Sequence, residues 1–400
     1  MSTKMNVPQL RFREFSGEWQ KSELNDLIEQ SSKKFNPKIN NENKKCIELE
    51  HLSQGTGELL GFTYSKEQES TKNVFAVNQV LFGKLRPYLK KFLKTDFDGV
   101  CSSEIWVLNG KKVINNYLFQ LVQTNKFNQI ANISSGSKMP RSDWKYMAEI
   151  PFSFPSKPEQ QKIASFLSSV DSKIEQLSKK KRLLEAYKKG VMQKIFSQEI
   201  RFKKDDGSEY GEWVERKLGE FIITYRLGGN YTNTEVKSNH PLIKMGNINR
   251  GKININKLEY IKKGEPVEQI DRIKYGDLFF NTRNTLDLVG KVSIWLNELP
   301  EAYYNSNLMS IKFENNFFMN YRLNSYDGIK SLRSIATGTT SVAAIYTKDL
   351  LKIKLSLPSL NEQDKIANFL TSIDTKIAQV NTQLNATKQF KKALLQKMFV

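Results

Sequence analysis

Pro155-Ser156-Lys157-Pro158-Glu159-Gln160-Gln161-Lys162-Ile163-Ala164-Ser165-Phe166-Leu167 returns 203 residues later as Pro358-Ser359-Leu360-Asn361-Glu362-Gln363-Asp364-Lys365-Ile366-Ala367-Asn368-Phe369-Leu370. The correspondence continues without a gap through Asp171-Ser172-Lys173-Ile174 against Asp374-Thr375-Lys376-Ile377. It ends at Gln193-Lys194-Ile195-Phe196 against Gln396-Lys397-Met398-Phe399, with about 19 identities along the way. A shorter repeat opens each half: Arg11-Phe12, Gly17-Glu18-Trp19 and Leu24 are echoed by Arg201-Phe202, Gly211-Glu212-Trp213 and Leu218. A repeat of this extent makes the chain a tandem duplication, to be read as two copies of one plan.

Both copies of the long repeat read as helix. Ser156 with Glu159, and Ser359 with Glu362, have the S-x-x-E spacing in which a hydroxyl and a carboxylate satisfy backbone donors at a helix start. Pro158 falls in the first turn, where its missing N–H loses no bond. Beyond the cap, apolar residues alternate at spacings of four and three. Ile163, Leu167, Val170, Ile174, Leu177 and Leu184 form one seam, continued by Val191 and Ile195. Ile366, Leu370, Ile373, Ile377, Val380 and Leu384 form the other, continued by Leu394 and Met398. A seam of period 3.5 wants a partner helix, and two copies in one chain supply each other as an intramolecular coiled coil. From Glu159 to Phe196 such a helix runs roughly 55 Å, long enough to act as a spacer. The plainer alternative is a core helix in each domain, but the seam is narrow and the opposite faces are polar. Lys179-Lys180-Lys181-Arg182 reads as a solvated face of the first helix.

Around the helices lie two segments of domain size. The boundaries read as 1–152 for the first domain, 153–200 for the first helix, 201–357 for the second domain and 358–400 for the second helix. Both segments mix β-like runs, such as Glu104-Ile105-Trp106-Val107-Leu108 and Met309-Ser310-Ile311-Lys312-Phe313, with turns rich in Asn, Gly and Lys. The fold class is therefore α+β: two mixed α/β domains separated by two long helices. A hydrophobic fraction of 39% with 11% aromatics suffices for buried cores. The formal charge of +20 points to a polyanionic partner, nucleic acid first, against the blander reading of a lysine-rich surface. Cys46 and Cys101 are too few for a disulfide framework or a four-ligand zinc site. No apolar run approaches a membrane span, and Met1–Gln9 lacks a secretory signal, so a cytoplasmic protein is expected.

Several polar clusters suit a DNA groove. Gly83-Lys84-Leu85-Arg86-Pro87-Tyr88-Leu89-Lys90-Lys91 sets Lys84, Arg86, Tyr88 and Lys90 on a short turn, where cations clamp phosphates or contact guanine. Ser134-Ser135-Gly136-Ser137-Lys138-Met139-Pro140-Arg141 offers Ser137, Lys138 and Arg141. In the second half the candidates are Lys244, Asn247 and Arg250, then Asn281, Arg283 and Asn284, and finally Thr339 and Thr340 in a small-residue loop. For each single residue a solvated surface role competes with DNA contact.

Catalytic motifs are missing. No glycine-lysine pair, at Lys84, Lys111, Lys252 or Lys291, is followed by the Ser or Thr of a P-loop, so ATP hydrolysis is not expected here. The Asn/Asp-Pro-Pro-Tyr/Phe tetrapeptide of amino-methyltransferases is absent, so methyl transfer is not expected either. Gly55-Thr56-Gly57 with Gly61 only loosely imitates a nucleotide-binding loop. His51 and His240 fall in different halves, which makes a His-dependent triad or metal site hard to build.

The order of variable segment, P-x-x-E-Q-x-K-I-A-x-F-L helix, variable segment and second such helix resembles the specificity subunits of type I restriction-modification enzymes. Glu159-Gln160-Gln161-Lys162-Ile163-Ala164, Glu362-Gln363-Asp364-Lys365-Ile366-Ala367, the Gly-Glu-Trp openings and Gly83-Lys84-Leu85-Arg86-Pro87-Tyr88 carry the resemblance across the whole chain. It implies two target-recognition domains, each reading half of a bipartite asymmetric DNA site, with the two long antiparallel helices setting the gap. It also implies two modification subunits that methylate adenine with S-adenosylmethionine, and two restriction subunits that use ATP and magnesium to translocate DNA. This chain would bind no cofactor or metal and would do no chemistry itself. A stand-alone nuclease or methyltransferase, and a coiled-coil scaffold that never touches DNA, are the competing classes.

Overall fold

The computed structural model describes residues 6–133 and 138–400. Two compact units emerge: one combines residues 1–179 with 381–400, and the other spans 180–380. The long helices, Lys157–Phe196 and Leu360–Lys397, are each shared between the units, where the sequence boundaries treat them as separate elements.

In the first unit a four-stranded sheet has the order Ile28–Gln30, Ile105–Gly110, Val80–Gly83, Phe92–Lys94. Phe82 faces Trp106 and Leu81 faces Val107 across the antiparallel register. Strand side chains alternate between faces. Val80, Phe82, Trp106 and Leu108 therefore join one core with Phe127, Phe152 and the long helix, while Leu81, Ile105 and Val107 join a second core with Phe75 and Ile47. This alternate apolar content on both sides makes the sheet a middle layer. A five-stranded sheet lies beyond the second core, with Lys45–Ile47 running parallel to Gly99–Cys101.

The second unit repeats the plan. Its four-stranded sheet runs Thr224–Leu227, Leu308–Lys312, Leu278–Asn281, Val292–Ile294, and a further sheet holds Pro241–Ile243 parallel to Tyr303–Tyr304. In each unit a short strand pair feeds the long helix: Gln20–Glu23 with Pro151–Phe154, and Val214–Lys217 with Lys354–Leu357. Mixed α and β structure is what the alternation of runs and turns implies.

The helix starts depart from the expected capping box. Glu159 turns its carboxylate to Arg11, at 2.8 and 2.7 Å, and to the indole N–H of Trp19, at 3.2 Å. Glu362 likewise receives Arg201, at 3.2 and 2.8 Å. Arg11 also binds the Gly17 carbonyl, and Arg201 the Gly211 carbonyl. The short repeat at the head of each half is therefore the partner of the long one. A buried carboxylate in the first turn favours the positive helix terminus, and the guanidinium supplies its charge partner. Gln160 and Gln363 close the same turn by donating to the carbonyls of Pro155 and Pro358.

Seam residues divide by unit. Ile163, Leu167 and Val170 lie in the first unit's core with Leu394 and Met398, while Ile366, Leu370, Ile373 and Ile377 lie in the second unit's core with Ile195 and, half-buried, Leu184. Leu177, Val380 and Leu384 are buried, and Ile174 is half-buried. The leading part of each helix thus serves as a core helix of its own unit. In the first unit the helix segments run in opposite directions. Lys391 pairs with Asp171 at 2.5 Å, and Phe399 meets Trp19, which binds Glu159 at the other helix's start. In the second unit Lys188 pairs with Asp374 at 2.7 Å.

Candidate nucleic-acid interface

The first unit gathers several expected residues on one rigid loop. Val80–Gly83 ends in a turn where Gly83 N–H donates to Lys91 O at 2.8 Å and Lys84 N–H to Glu104 O at 2.9 Å. Arg86 (φ 52°) and Lys90 (φ 50°) both adopt the left-handed conformation around the 3₁₀ turn Pro87–Leu89. Each such non-glycine residue costs on the order of 1 kcal/mol, so the surroundings must hold it. Arg86 N–H is held by Pro140 O at 2.8 Å, and Lys90 O accepts from Gly55 N–H at 2.9 Å. The result projects Tyr88, 56% exposed, between exposed Arg86 and Lys90, with Lys84 half-buried beside them.

The second expected segment docks on the first. Leu85 bridges to Arg141, and Ser142 N–H donates to Lys84 O at 2.9 Å. Arg141 is forked onto Glu104 at 3.0 and 3.2 Å, which fixes its plane while leaving it 46% exposed. Lys138 is exposed. Ser137 lies outside the described residues.

The second unit brings fewer of its candidates together. Arg283–Asn284 pairs with Ala343–Ala344, which pairs with Thr337–Gly338, and Leu286 N–H reaches Thr340 O at 3.2 Å. Arg283, Asn284, Thr339 and Thr340 therefore share one three-stranded ribbon, with Arg283 and both threonines exposed.

Three other candidates are built into the fold instead. Asn247 is 6% exposed, accepts from Lys244 N–H at 2.9 Å and donates to the carbonyls of Asn254 and Lys257, both at 2.8 Å. Asn281 is fully buried and accepts from Arg283 N–H. Lys244 is neutralised by Glu259 at 2.9 Å. An asparagine at a sharp turn serves the backbone as readily as a base, and that alternative wins here.

Arg250 is half-buried and donates to Gly290 O at 3.4 Å, next in the chain to Lys291, and Arg333 donates to Asp287 O at 3.4 Å, three residues earlier; sequence reading selected neither Lys291 nor Arg333. Burial, and then the charge of Arg333, pulls the Arg250 pKa down; burial, and then Arg250, does the same to Lys291. Lys291 was visible only as a glycine-lysine pair that fails as a P-loop.

Gly55-Thr56-Gly57 packs tightly: a Cβ on Gly57 would lie 2.9 Å from the rings of Phe119 and Phe92. The three residues border a cleft of about 530 Å³ in the first unit, with Lys90, Lys94, Lys388 and Lys392 on its wall. His51 accepts from Glu48 N–H at 2.9 Å as part of a turn, and His240 lies beside Tyr303. Among the described residues no group of three His, Cys, Asp or Glu could hold a metal ion, and no helix is long and apolar enough to cross a membrane. Burial raises both thiols, Cys46 to about 12 and Cys101 further still.

Two units with one sheet order, each fed into a long helix through an Arg–Glu pair, define a duplicated α+β architecture. The family model described as type I restriction modification DNA specificity domain matches twice, at residues 16–186 and 210–389, and the chain belongs to this family. It is 27% identical over 330 residues to the type I restriction enzyme MjaVIII specificity subunit of Methanocaldococcus jannaschii, covering 75% of this chain and 76% of that one. It is 28% identical over 213 residues to the putative MjaX specificity subunit of the same organism, a match spanning 51% of this chain and about half (49%) of the relative. A third match, 34% identical, covers 28% of this chain and 26% of the EcoDI specificity subunit of Escherichia coli.

Among solved structures, the type I restriction-modification S subunit from M. genitalium aligns with a TM-score of 0.62 at 17% identity, covering 98% of this chain and 99% of that one. A chain from a structure addressing assembly and conformational transition of the type I R-M system aligns at 0.53 and 17% identity, covering 95% and 97%. These alignments establish a shared fold.

Proposed function

We propose that this chain is the DNA-reading specificity subunit of a type I restriction-modification complex and carries no catalytic centre. The observation that carries the reading is the duplication itself: two units of one design, each presenting a basic or polar loop from the end of the same sheet strand. Two readers built on one plan but with different loops suit a bipartite site whose halves differ. Phosphate contacts from Arg86, Lys90 and their neighbours would position the duplex, and exposed Arg283, Thr339 and Thr340, with half-buried Asn284, would make groove contacts.

The long helices, paired as an intramolecular coiled coil, would fix the gap between half-sites, so that the second contact becomes intramolecular and gains affinity without new chemistry. Methylation of adenine with S-adenosylmethionine would fall to two modification subunits. Translocation and cleavage with ATP and magnesium would fall to two restriction subunits. This chain would bind none of these cofactors and would work in the cytoplasm.

The test is co-expression with its candidate modification subunit, followed by mapping of methylated adenines across a genome. The expected result is a single asymmetric motif in two parts with a constant gap. A continuous palindromic motif, or methylation independent of this chain, would sink the reading. Exchanging residues 1–152 for those of a relative should then change one half of the motif alone.

A further inference from the structure

The two units let one cation cluster be judged against its own counterpart. Asn281 N–H donates to Lys291 O at 2.9 Å as Gly83 N–H does to Lys91 O at 2.8 Å, and Ile345 N–H donates to Thr282 O as Ser142 N–H does to Lys84 O. Gly55 (φ +70°) and Gly251 (φ +77°) both follow a 3₁₀ turn, Leu49–His51 or Met245–Asn247, and both donate to the adjoining hairpin. Lys91 therefore matches Lys291, and Gln54 holds the same place after its 3₁₀ turn as Arg250, with Gly55 meeting Lys90 O and Gly251 meeting Val292 O.

At these matched positions the chemistry diverges. Lys91 donates its ammonium to Leu49 O at 2.5 Å. The second unit instead brings Arg250 to the carbonyl of Gly290, next in the chain to Lys291, where the first unit has Gln54. Arg250 Nη1 reaches only Gly290 O, at 3.4 Å, and its enclosed Nη2 has no acceptor. Arg333 adds a third positive charge, balanced only by Asp287 at 3.9 Å, which is 92% exposed and so heavily screened. No carboxylate among the described residues pairs with Arg250 or Lys291.

A guanidinium does not shed its proton in a protein. Three cations gathered on the turn from Asp287 to Lys291, with one exposed carboxylate among them, are therefore unfavourable in the free chain, and an anion is the ligand that reverses the sign. We propose that Arg250, Lys291 and Arg333 form a seat for one backbone phosphate of duplex DNA, gripping the strand without reading its bases. This rests on the DNA-reading function above and refines it. In the second unit the phosphate grip lies beside the strand Leu278–Asn281, leaving the ribbon of Arg283 and Thr339 free to discriminate sequence. In the first unit the cations sit on the loop itself.

The test uses the full chain, a fluorescent duplex and a salt series, comparing wild type with Arg250→Gln, Arg250→Gln with Arg333→Gln, and the distant control Lys263→Gln. Arg250→Gln installs the residue the first unit carries. It should weaken duplex binding about tenfold at roughly 0.1 M salt, irrespective of sequence, and lower the slope of log affinity on log salt by about one. In low-salt chloride buffer its melting temperature should equal or exceed that of wild type, because a repulsive cluster is relieved.

Unchanged affinity and slope with a markedly lower melting temperature would make Arg250 a structural support and overturn the proposal. Inorganic phosphate that stabilises wild type and Arg250→Gln equally would do the same. Stabilisation of wild type alone by inorganic phosphate, with duplex affinity unchanged in the variant, would assign the site to free phosphate and reject the DNA seat. If wild type fails to bind any duplex, the function itself falls; if it binds and Arg250→Gln binds identically, only this inference does.

Discussion

The loop from Gly83 to Lys91 and the loop from Asn281 to Lys291 hang from the same backbone bonds yet carry different side chains. The first holds Lys84, Arg86, Tyr88 and Lys90 on a strained turn locked by Pro140 and Gly55. The second is two residues longer and merges into a three-stranded ribbon. The frame beneath them hardly differs: sheet order, the strand pair feeding the helix and the Arg–Glu pair at its start are shared. Packing and buried polar bonds constrain the frame, whereas a solvated loop end is free to change. Divergence therefore concentrates where a reader would meet its ligand.

The largest expected effects lie at the helix starts. Glu159→Ala and Glu362→Ala each strand a partly buried arginine, which should destabilise the affected unit by about 3–5 kcal/mol. Glu159→Ala should cost roughly 1 kcal/mol more, because Trp19 also donates to Glu159 whereas the indole N–H of Trp213 has no partner. Calorimetric unfolding of the two variants checks this; equal losses would erase the distinction between the units.

Next come the seams. Ile377 is 4% exposed and Ile174 is half-buried on the wall of the first unit's cleft. Ile377→Ala should cost about 2–4 kcal/mol and Ile174→Ala about 1 kcal/mol, measured by denaturant midpoints. The reverse order would mean that the cleft closes on Ile174 in solution.

Smaller effects belong to the exchanged ion pairs. Asp171 with Lys391 in the first unit, and Asp374 with Lys188 in the second, occupy equivalent positions of the repeat with the helices exchanged. Gln120 supports Asp171, and Tyr321 supports Asp374 at 2.8 Å. Double-mutant cycles to Asn and Met should give coupling energies of about 0.5–2 kcal/mol in each unit. A zero in either would show that the pair there only decorates the surface. The smallest effect concerns the thiols: with Cys46 pushed up to about 12 by burial, thiol labelling at neutral pH should stay slow until the first unit unfolds. Rapid labelling of the native chain would show that the first unit opens locally.

Legibility followed locality. The long repeat exposed both helices, since a 3.5-residue seam and polar backs are local signals, although the capping box it suggested gave way to the Arg–Glu pairs. Two domains of mixed α and β structure could be read from alternating runs and turns. The link between Arg11 and Glu159 could not, because 148 residues separate the partners and no local pattern pairs a lone arginine with a helix start. For the same reason Asn247 and Asn281 read as polar surface groups; only the folded chain shows each buried against backbone. Arg250, Lys291 and Arg333 come from three separate stretches, and nothing in any one of them points to the others.

By itself the sequence determined the duplication, the presence of two long helices, the absence of P-loop and methyltransferase motifs and the basic balance, because these are properties of order and composition. Tertiary structure decided which polar residues remain available at a surface and which are spent inside. Burial and charge neighbourhood depend on contacts between distant segments, so identical residue types acquire opposite roles: Asn284 lies on an open ribbon, and Asn281, three positions earlier, is sealed in the core.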